Sequence, residues 1–362
     1  MPTVFVLFII IVVGAIVGSF LNVCVYRIPR EKSILWPGSH CGHCLQPIRW
    51  YDNVPLLSYW ILRGRCRQCG ARFSIRYFIV ELVTGLGFAG LFYLEAMRNV
   101  EHVFVFDMFA ENAKEAGYAT IDPFLIPGEG WAFLIFHQVL FGFLLVVSLC
   151  DFDSLEIPFS ITLTGTVIGV AFGTILWRYL PAFGVEAPGP FPMANGTRIW
   201  GGTYAWPVWL SPLPSWLPEG AWWTGLATAL AGTVAGMLVL RGVRFVFQLG
   251  RGIEGMGIGD ADIMMMAGAF IGWQPIILSF FIGVFIALIF GVAQLVMRGN
   301  QMMPFGPSLA AGVLVTMLAW QRIGPQRFDV VFFDERIMLM LLVAGGILLL
   351  VISFAVRLLR HE

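Results

Sequence analysis

The chain has 362 residues, 58% of them hydrophobic and only 12% charged, with a mean hydropathy of +0.82 and no net charge. These values exclude a soluble globular domain and a disordered polyelectrolyte, and the neutral balance gives no electrostatic footprint for nucleic acid. A polytopic protein whose first partner is the lipid bilayer remains.

The first apolar stretch, Val4 to Tyr26, is long enough to cross a bilayer. It has no basic leader and no small-residue cleavage site before Arg27, so it reads as a retained span and not as a signal peptide. Residues 27–77 follow as a polar segment with nine Lys/Arg and four of the six cysteines. Further apolar runs cover Phe78 to Met97, Trp131 to Cys150, Phe159 to Leu180, Trp222 to Leu240, Ile276 to Met297 and Ile337 to Val356. Two shorter ones, Ala261 to Trp273 and Phe305 to Trp320, are ambiguous by length.

The expected fold is therefore an all-α polytopic membrane protein of about eight or nine transmembrane helices. Its expected units are a first helix over 1–26, a small cytoplasmic metal-binding domain over 27–77 and a multi-helix membrane domain over 78–362. The excess of Lys/Arg in 27–77 places that segment in the cytoplasm. Two insertions, acidic 98–130 and Pro-, Gly- and Trp-rich 181–221, are expected outside. Charge distribution does not decide whether 261–273 crosses; crossing is expected, because it returns Pro304 to Pro307 to the cytoplasmic face.

Within 27–77, Cys41-Gly-His-Cys44 and Cys66-Arg-Gln-Cys69 form two CxxC pairs. Four thiolates in this pattern converge on one Zn²⁺ tetrahedrally, and a four-cysteine shell leaves no open position for water, so the site is structural. Two disulfides are the competing arrangement, disfavoured by a cytosolic location. His43 stands inside the first pair, but a fifth donor is not needed. Cys24 and Cys150 fall in apolar runs and read as buried thiols.

Ionisable residues in or beside membrane spans are costly, so each is a functional candidate. Glu81, Glu95, His137, Asp151, Asp153, Asp260 and Asp262 qualify. Asp151 ends one span and Asp260 closes the sequence Gly255-Met-Gly-Ile-Gly-Asp260; the topology delivers both to the cytoplasmic face. Two carboxylates at one depth can share a proton, one acting as base on water and the other as acid on a carbonyl, as in aspartic proteases. Gly257 and Gly259 are expected to support an active-site loop by adopting turns closed to other residues. Asp153, Glu156, Glu254 and Asp262 are expected to add an acidic rim. Helix capping is the plain alternative for any single Asp at such a position.

Several longer motifs resemble the prepilin peptidase family, the bifunctional leader peptidases and N-methyltransferases of type IV pilus and type II secretion systems. They are Gly18-Ser-Phe-Leu-Asn-Val23 with Arg27-Ile-Pro29, the two CxxC pairs around Trp50 to Tyr59, and Arg76-Tyr-Phe-Ile-Val-Glu81. Asp151 seven residues before Pro158, Gly257-Ile-Gly-Asp260 and Pro304-Phe-Gly-Pro307 complete the set. The resemblance implies that Asp151 and Asp260 are the catalytic pair of a bacterial inner-membrane enzyme. Its implied substrates are prepilins or pseudopilins, cut at the cytoplasmic face behind a short basic leader. The new amino terminus would then be methylated from S-adenosylmethionine. No residue set for substrate or methyl donor follows from the sequence.

This chain departs from the family pattern at Asp262, where a Lys is usual two residues after the GxGD aspartate. The competing class is an ion- or proton-coupled transporter using the membrane carboxylates. It would place polar residues deep in several spans, whereas here the acids gather at span ends, Glu81 and His137 excepted.

Overall fold

The computed structural model describes residues 2–100, 123–126, 128–179, 191–192, 198–199, 222–252, 257–298, 304–327, 331 and 335–359. Most of both insertions, and Glu254, lie outside these residues. Every apolar run becomes a helix, because in hydrocarbon the backbone must satisfy its own hydrogen bonds. The helices are α1 (Pro2–Arg27), short α2 (Leu57–Ile61), α3 (Arg76–Phe92), α4 (Gly128–Ser154) and α5 (Phe159–Tyr179), then α6 (Trp222–Arg251), α7 (Ile258–Ile271), α8 (Trp273–Arg298), α9 (Gly306–Arg327) and α10 (Glu335–Leu359). A single π-helical turn, Tyr93–Met97, extends α3. The described exception to the all-helical plan is a pair of two-residue antiparallel strands, Phe191–Pro192 and Arg198–Ile199.

Six of the described helices are long and apolar enough to cross a membrane, and α9 and α10 contain shorter apolar stretches. Their outer faces are apolar where lipid would lie: Phe8, Phe281, Phe285 and Leu342 are all more than 60% exposed.

At the centre stands α7. All twelve residues from Asp260 to Ile271 are buried, enclosed by α4, α5, α6, α8 and α9. At about 1.5 Å per residue its fourteen residues cover roughly 21 Å, less than a bilayer core of about 30 Å. Surrounded by protein, it does not need the full length. Gly272, with φ 89°, ends it, and α8 starts at the next residue.

Small residues allow α6 and α7 to touch backbone to backbone. A Cβ at Gly232 would run into the carbonyl oxygen of Gly268, and one at Gly236 into that of Met264. The pairs place the two helices antiparallel and cluster the glycines where close approach is required, the usual device for helix contact in lipid. Gly283 against Leu309 and Gly312 against Ser279 set α8 and α9 antiparallel too. The chain therefore leaves the Asp260 end along α7, returns along α8, and begins α9 beside α4.

Candidate active site

Asp151 lies in the last turn of α4 and Asp260 in the first turn of α7; both are buried. The third element is the N-terminus of α9, where the Gly306 amide donates a hydrogen bond to Asp151 Oδ2 at 2.8 Å. A Cβ on Gly306 would stand 2.8 Å from that same oxygen and 3.1 Å from Cδ1 of Ile263, on the α7 face of Asp260. Helices from three distant parts of the chain thus close on the Asp151 carboxylate, with Ile263, one turn from Asp260, on the other side of Gly306. Among the described residues neither carboxylate has a Lys or Arg partner. Two buried acids at adjoining helix ends without a counter-cation are expensive to maintain, a cost typical of functional sites.

The neighbouring acids are accounted for differently. Both oxygens of Asp153 accept from the one nitrogen Arg76 Nη1, at 2.5 and 2.7 Å. Asp262 has Arg241 Nη2 at 3.6 Å from Oδ1. Glu156 is exposed. The expected acidic rim is therefore partly neutralised from within the protein. Asp260 and Asp262 are two positions apart and face different neighbours, as helix geometry requires.

Gly257 and Gly259 do not adopt the unusual turns expected of them. Gly257 is extended at φ −66°, ψ 150°, a conformation open to any residue. Gly259 is helical, and a Cβ there would press 2.9 Å from Ile157 Cβ. What it permits is close seating of α7 against the α4–α5 linker.

Glu95 and His137 also meet, Oε1 to Nδ1 at 2.9 Å, with both side chains fully buried. Glu81 accepts the Leu56 amide at 2.8 Å and fixes the loop between the two cysteine pairs to α3.

All four thiol sulfurs of Cys41, Cys44, Cys66 and Cys69 lie within 4.8 Å of one another and none is in a disulfide. The two halves repeat one backbone pattern that the sequence does not advertise. Cys41 and Cys66 donate their amides to the carbonyls five residues on, Gln46 at 2.9 Å and Ala71 at 2.8 Å. Each also accepts from the amide four residues on, Leu45 at 3.0 Å and Gly70 at 2.9 Å, both with left-handed φ of 57° and 69°. The bridges His40↔Pro47 and Arg65↔Arg72 close the two turns at the same offsets. Amides of Cys44 and His43 pull the Cys41 thiol down to about 6. Two matched turns presenting four sulfurs inward, one already disposed to be a thiolate, fit a tetrahedral thiophilic cation.

Family models match at both ends of this arrangement. The Bacterial Peptidase A24 N-terminal domain covers residues 12–94 and the Type IV leader peptidase family covers 208–292. A prepilin leader peptidase/N-methyltransferase of Pseudomonas putida is 29% identical, over 85% of this chain and 88% of the relative. One of the same name from Burkholderia pseudomallei is 29% identical over 85% and 83%. A type 4 prepilin-like proteins leader peptide-processing enzyme of Escherichia coli O78:H11 is 27% identical over 84% and 90%. The chain is thus similar to type IV leader peptidases over most of its length. No solved structure matches it.

Along this chain the matches include the cysteine module and Asp260, whereas Asp151 and Gly306 lie outside both matched ranges. Their connection to Asp260 is geometric. Sequence reading recognised Pro304 to Pro307 as a motif but not its task, which is to aim the Gly306 amide at Asp151. It overlooked Arg241 because only acids and His137 were sought in the spans; an Arg within a mostly apolar helix was the available signal. Sequence reading ended this span at Leu240, yet the helix runs on to Arg251.

Proposed function

We propose that this protein is a membrane aspartyl endopeptidase that removes the leader from prepilins or pseudopilins, with Asp151 and Asp260 as the catalytic pair. The observation that carries this reading is the convergence of the helix ends that bear both buried carboxylates on the Gly306 amide, which bonds Asp151, without a neutralising cation among the described residues. A hydrogen bond donated to a carboxylate favours its ionised form. Asp151 therefore takes the proton from an attacking water, and Asp260, holding the shared proton, gives it to the scissile carbonyl oxygen. As the tetrahedral intermediate collapses, Asp151 passes its proton to the departing amine while Asp260 takes back the proton of one hydroxyl, leaving a carboxylic acid product and returning the pair to its starting charge. A site at the end of the helices, and not at their middle, draws its water from the adjoining aqueous phase.

In this reading the Asp151 end and the cysteine module face the cytoplasm of a bacterial inner membrane, in keeping with the basic residues of 27–77. Cys41, Cys44, Cys66 and Cys69 would hold one structural Zn²⁺, supplying folding energy to a segment too small for a core of its own. Methylation of the new amino terminus from S-adenosylmethionine is the second proposed activity, supported by the relatives' names. The transporter alternative gains nothing from the family match.

Incubating the purified protein with a prepilin and S-adenosylmethionine, followed by mass analysis of the product's amino terminus, tests both activities. The expected product is shortened by its leader and heavier by one methyl group. An intact prepilin would reject the peptidase reading, and an unmethylated product would remove the second activity alone.

A further inference from the structure

Two residues sit at the wrong ends of their own helices. Arg76 is the first residue of α3, and Asp153 lies in the last turn of α4, so each opposes the macrodipole of the helix that carries it. Neither is a capping choice. They compensate one another instead, through contacts of 2.5 and 2.7 Å from one guanidinium nitrogen to both carboxylate oxygens.

The pair is the lowest rung of a seam between antiparallel helices. Above it the Gln138 amide reaches the Phe88 carbonyl at 3.5 Å, and at the far end Glu95 meets His137 at 2.9 Å. Only the lowest rung touches both functional features. Asp153 is two residues from Asp151 in a turn that ends at Ser154. Arg76 follows Cys69 by seven residues, along a return segment held by the second knuckle: Ala71 accepts from Cys66, and the Phe73 amide donates to Gly64 at 2.9 Å. Tyr59 packs edge-on to Phe73 and against Phe78 at the start of α3. The fold of the second knuckle thus decides where Arg76 stands.

We propose that Arg76 is a positioning residue that fixes the last turn of α4, and with it Asp151, to the cysteine module, so that metal loading of the knuckles governs the peptidase site. The inference rests on the reading of Asp151 as catalytic. Between exposed partners such a pair adds little to stability; its consequence is geometric, and a displacement of about 1 Å at a catalytic group can cost up to a hundredfold in rate.

The test uses the full-length protein in detergent or vesicles, cleaving a prepilin. Arg76→Gln and Asp153→Asn each lower kcat about tenfold with KM little changed, and the exchange Arg76→Asp with Asp153→Arg recovers most of the rate. Zinc content stays at one per chain in Arg76→Gln and is lost in Cys66→Ser/Cys69→Ser. The cysteine change lowers the rate of the parent but adds nothing in the Arg76→Gln background. Full activity of Arg76→Gln, no recovery in the exchange, or additive losses would each overturn the proposal. Asp151→Asn serves as the control: if it is dead while Arg76→Gln is unimpaired, only this inference fails. If Asp151→Asn cleaves normally, the catalytic reading fails as well.

Discussion

The two ends of α4 carry ionisable groups under opposite terms. His137, deep in the helix, is sealed by Phe133 and Phe136 and paired through Nδ1 with Glu95, an acid–base pair that can settle a proton between its members. Asp151, at the other end, is buried near the helix end that carries a second buried acid, and its hydrogen-bond partner among the described residues is a backbone amide. Both arrangements bear the cost of polar groups among apolar ones. The first offsets part of that cost within the pair, although Glu95 Oε2 is buried without a hydrogen-bond partner, and it holds α3 to α4; the second leaves two acids without such an offset, as the proposed catalytic pair requires. Burial of an ionisable residue in a membrane protein is thus ambiguous until its partner is known.

Changes at each end should separate these roles, beginning with the largest effect. Gly306→Ala, which would force a methyl group against Asp151 Oδ2 and Ile263, is expected to reduce prepilin cleavage about a hundredfold while the protein stays folded; a rate within twofold of the parent would detach α9 from the site. His137→Leu should act inversely. Leaving Glu95 buried and unpaired costs about 3 kcal/mol of stability, seen as a lower unfolding midpoint, with the rate per folded molecule unchanged. Glu95→Leu/His137→Leu, which removes both partners, should recover much of that loss. If the double variant is instead inactive though folded, the sealed pair takes part in function.

A smaller effect is expected from the cysteine module. Metal removal by a chelator should expose residues 28–75 to protease and slow cleavage by about tenfold or less, since a four-thiolate site has no open position for the reacting water. Complete loss of cleavage in a molecule whose membrane helices remain protected would make the metal a direct participant. Smallest is Arg241→Gln, which leaves Asp262 without its ion-pair partner yet sits on the α6 side of α7, away from Asp151. A rate within threefold of the parent is expected, and a far larger loss would bring Asp262 into the site.

Much of this architecture was legible because hydrocarbon imposes length and composition on anything that crosses it. Each apolar run reappears as a helix, and the CxxC spacing announces the sulfur cluster. Contacts between distant segments were not legible. Glu95 and His137 are 42 positions apart, across an acidic insertion, and nothing local marks either as the other's partner. The glycines of α6 look like any in an apolar run; only their facing positions on α7 reveal a backbone contact. At the site, the two acids and the Pro304–Pro307 motif were recognisable separately. The amide that joins them depends on α7 and α8 forming an out-and-back pair, which charge distribution could not establish.

The pairing of Asp151 with Asp260 is tested most directly by comparing the rates of Asp151→Asn, Asp260→Asn and the double variant on a prepilin. Residues that act as one unit are not additive. Each single change should therefore abolish cleavage as fully as both together, with all three proteins folded and retaining zinc. Cleavage near the parent rate by either single variant, or losses that multiply in the double, would contradict a shared catalytic proton.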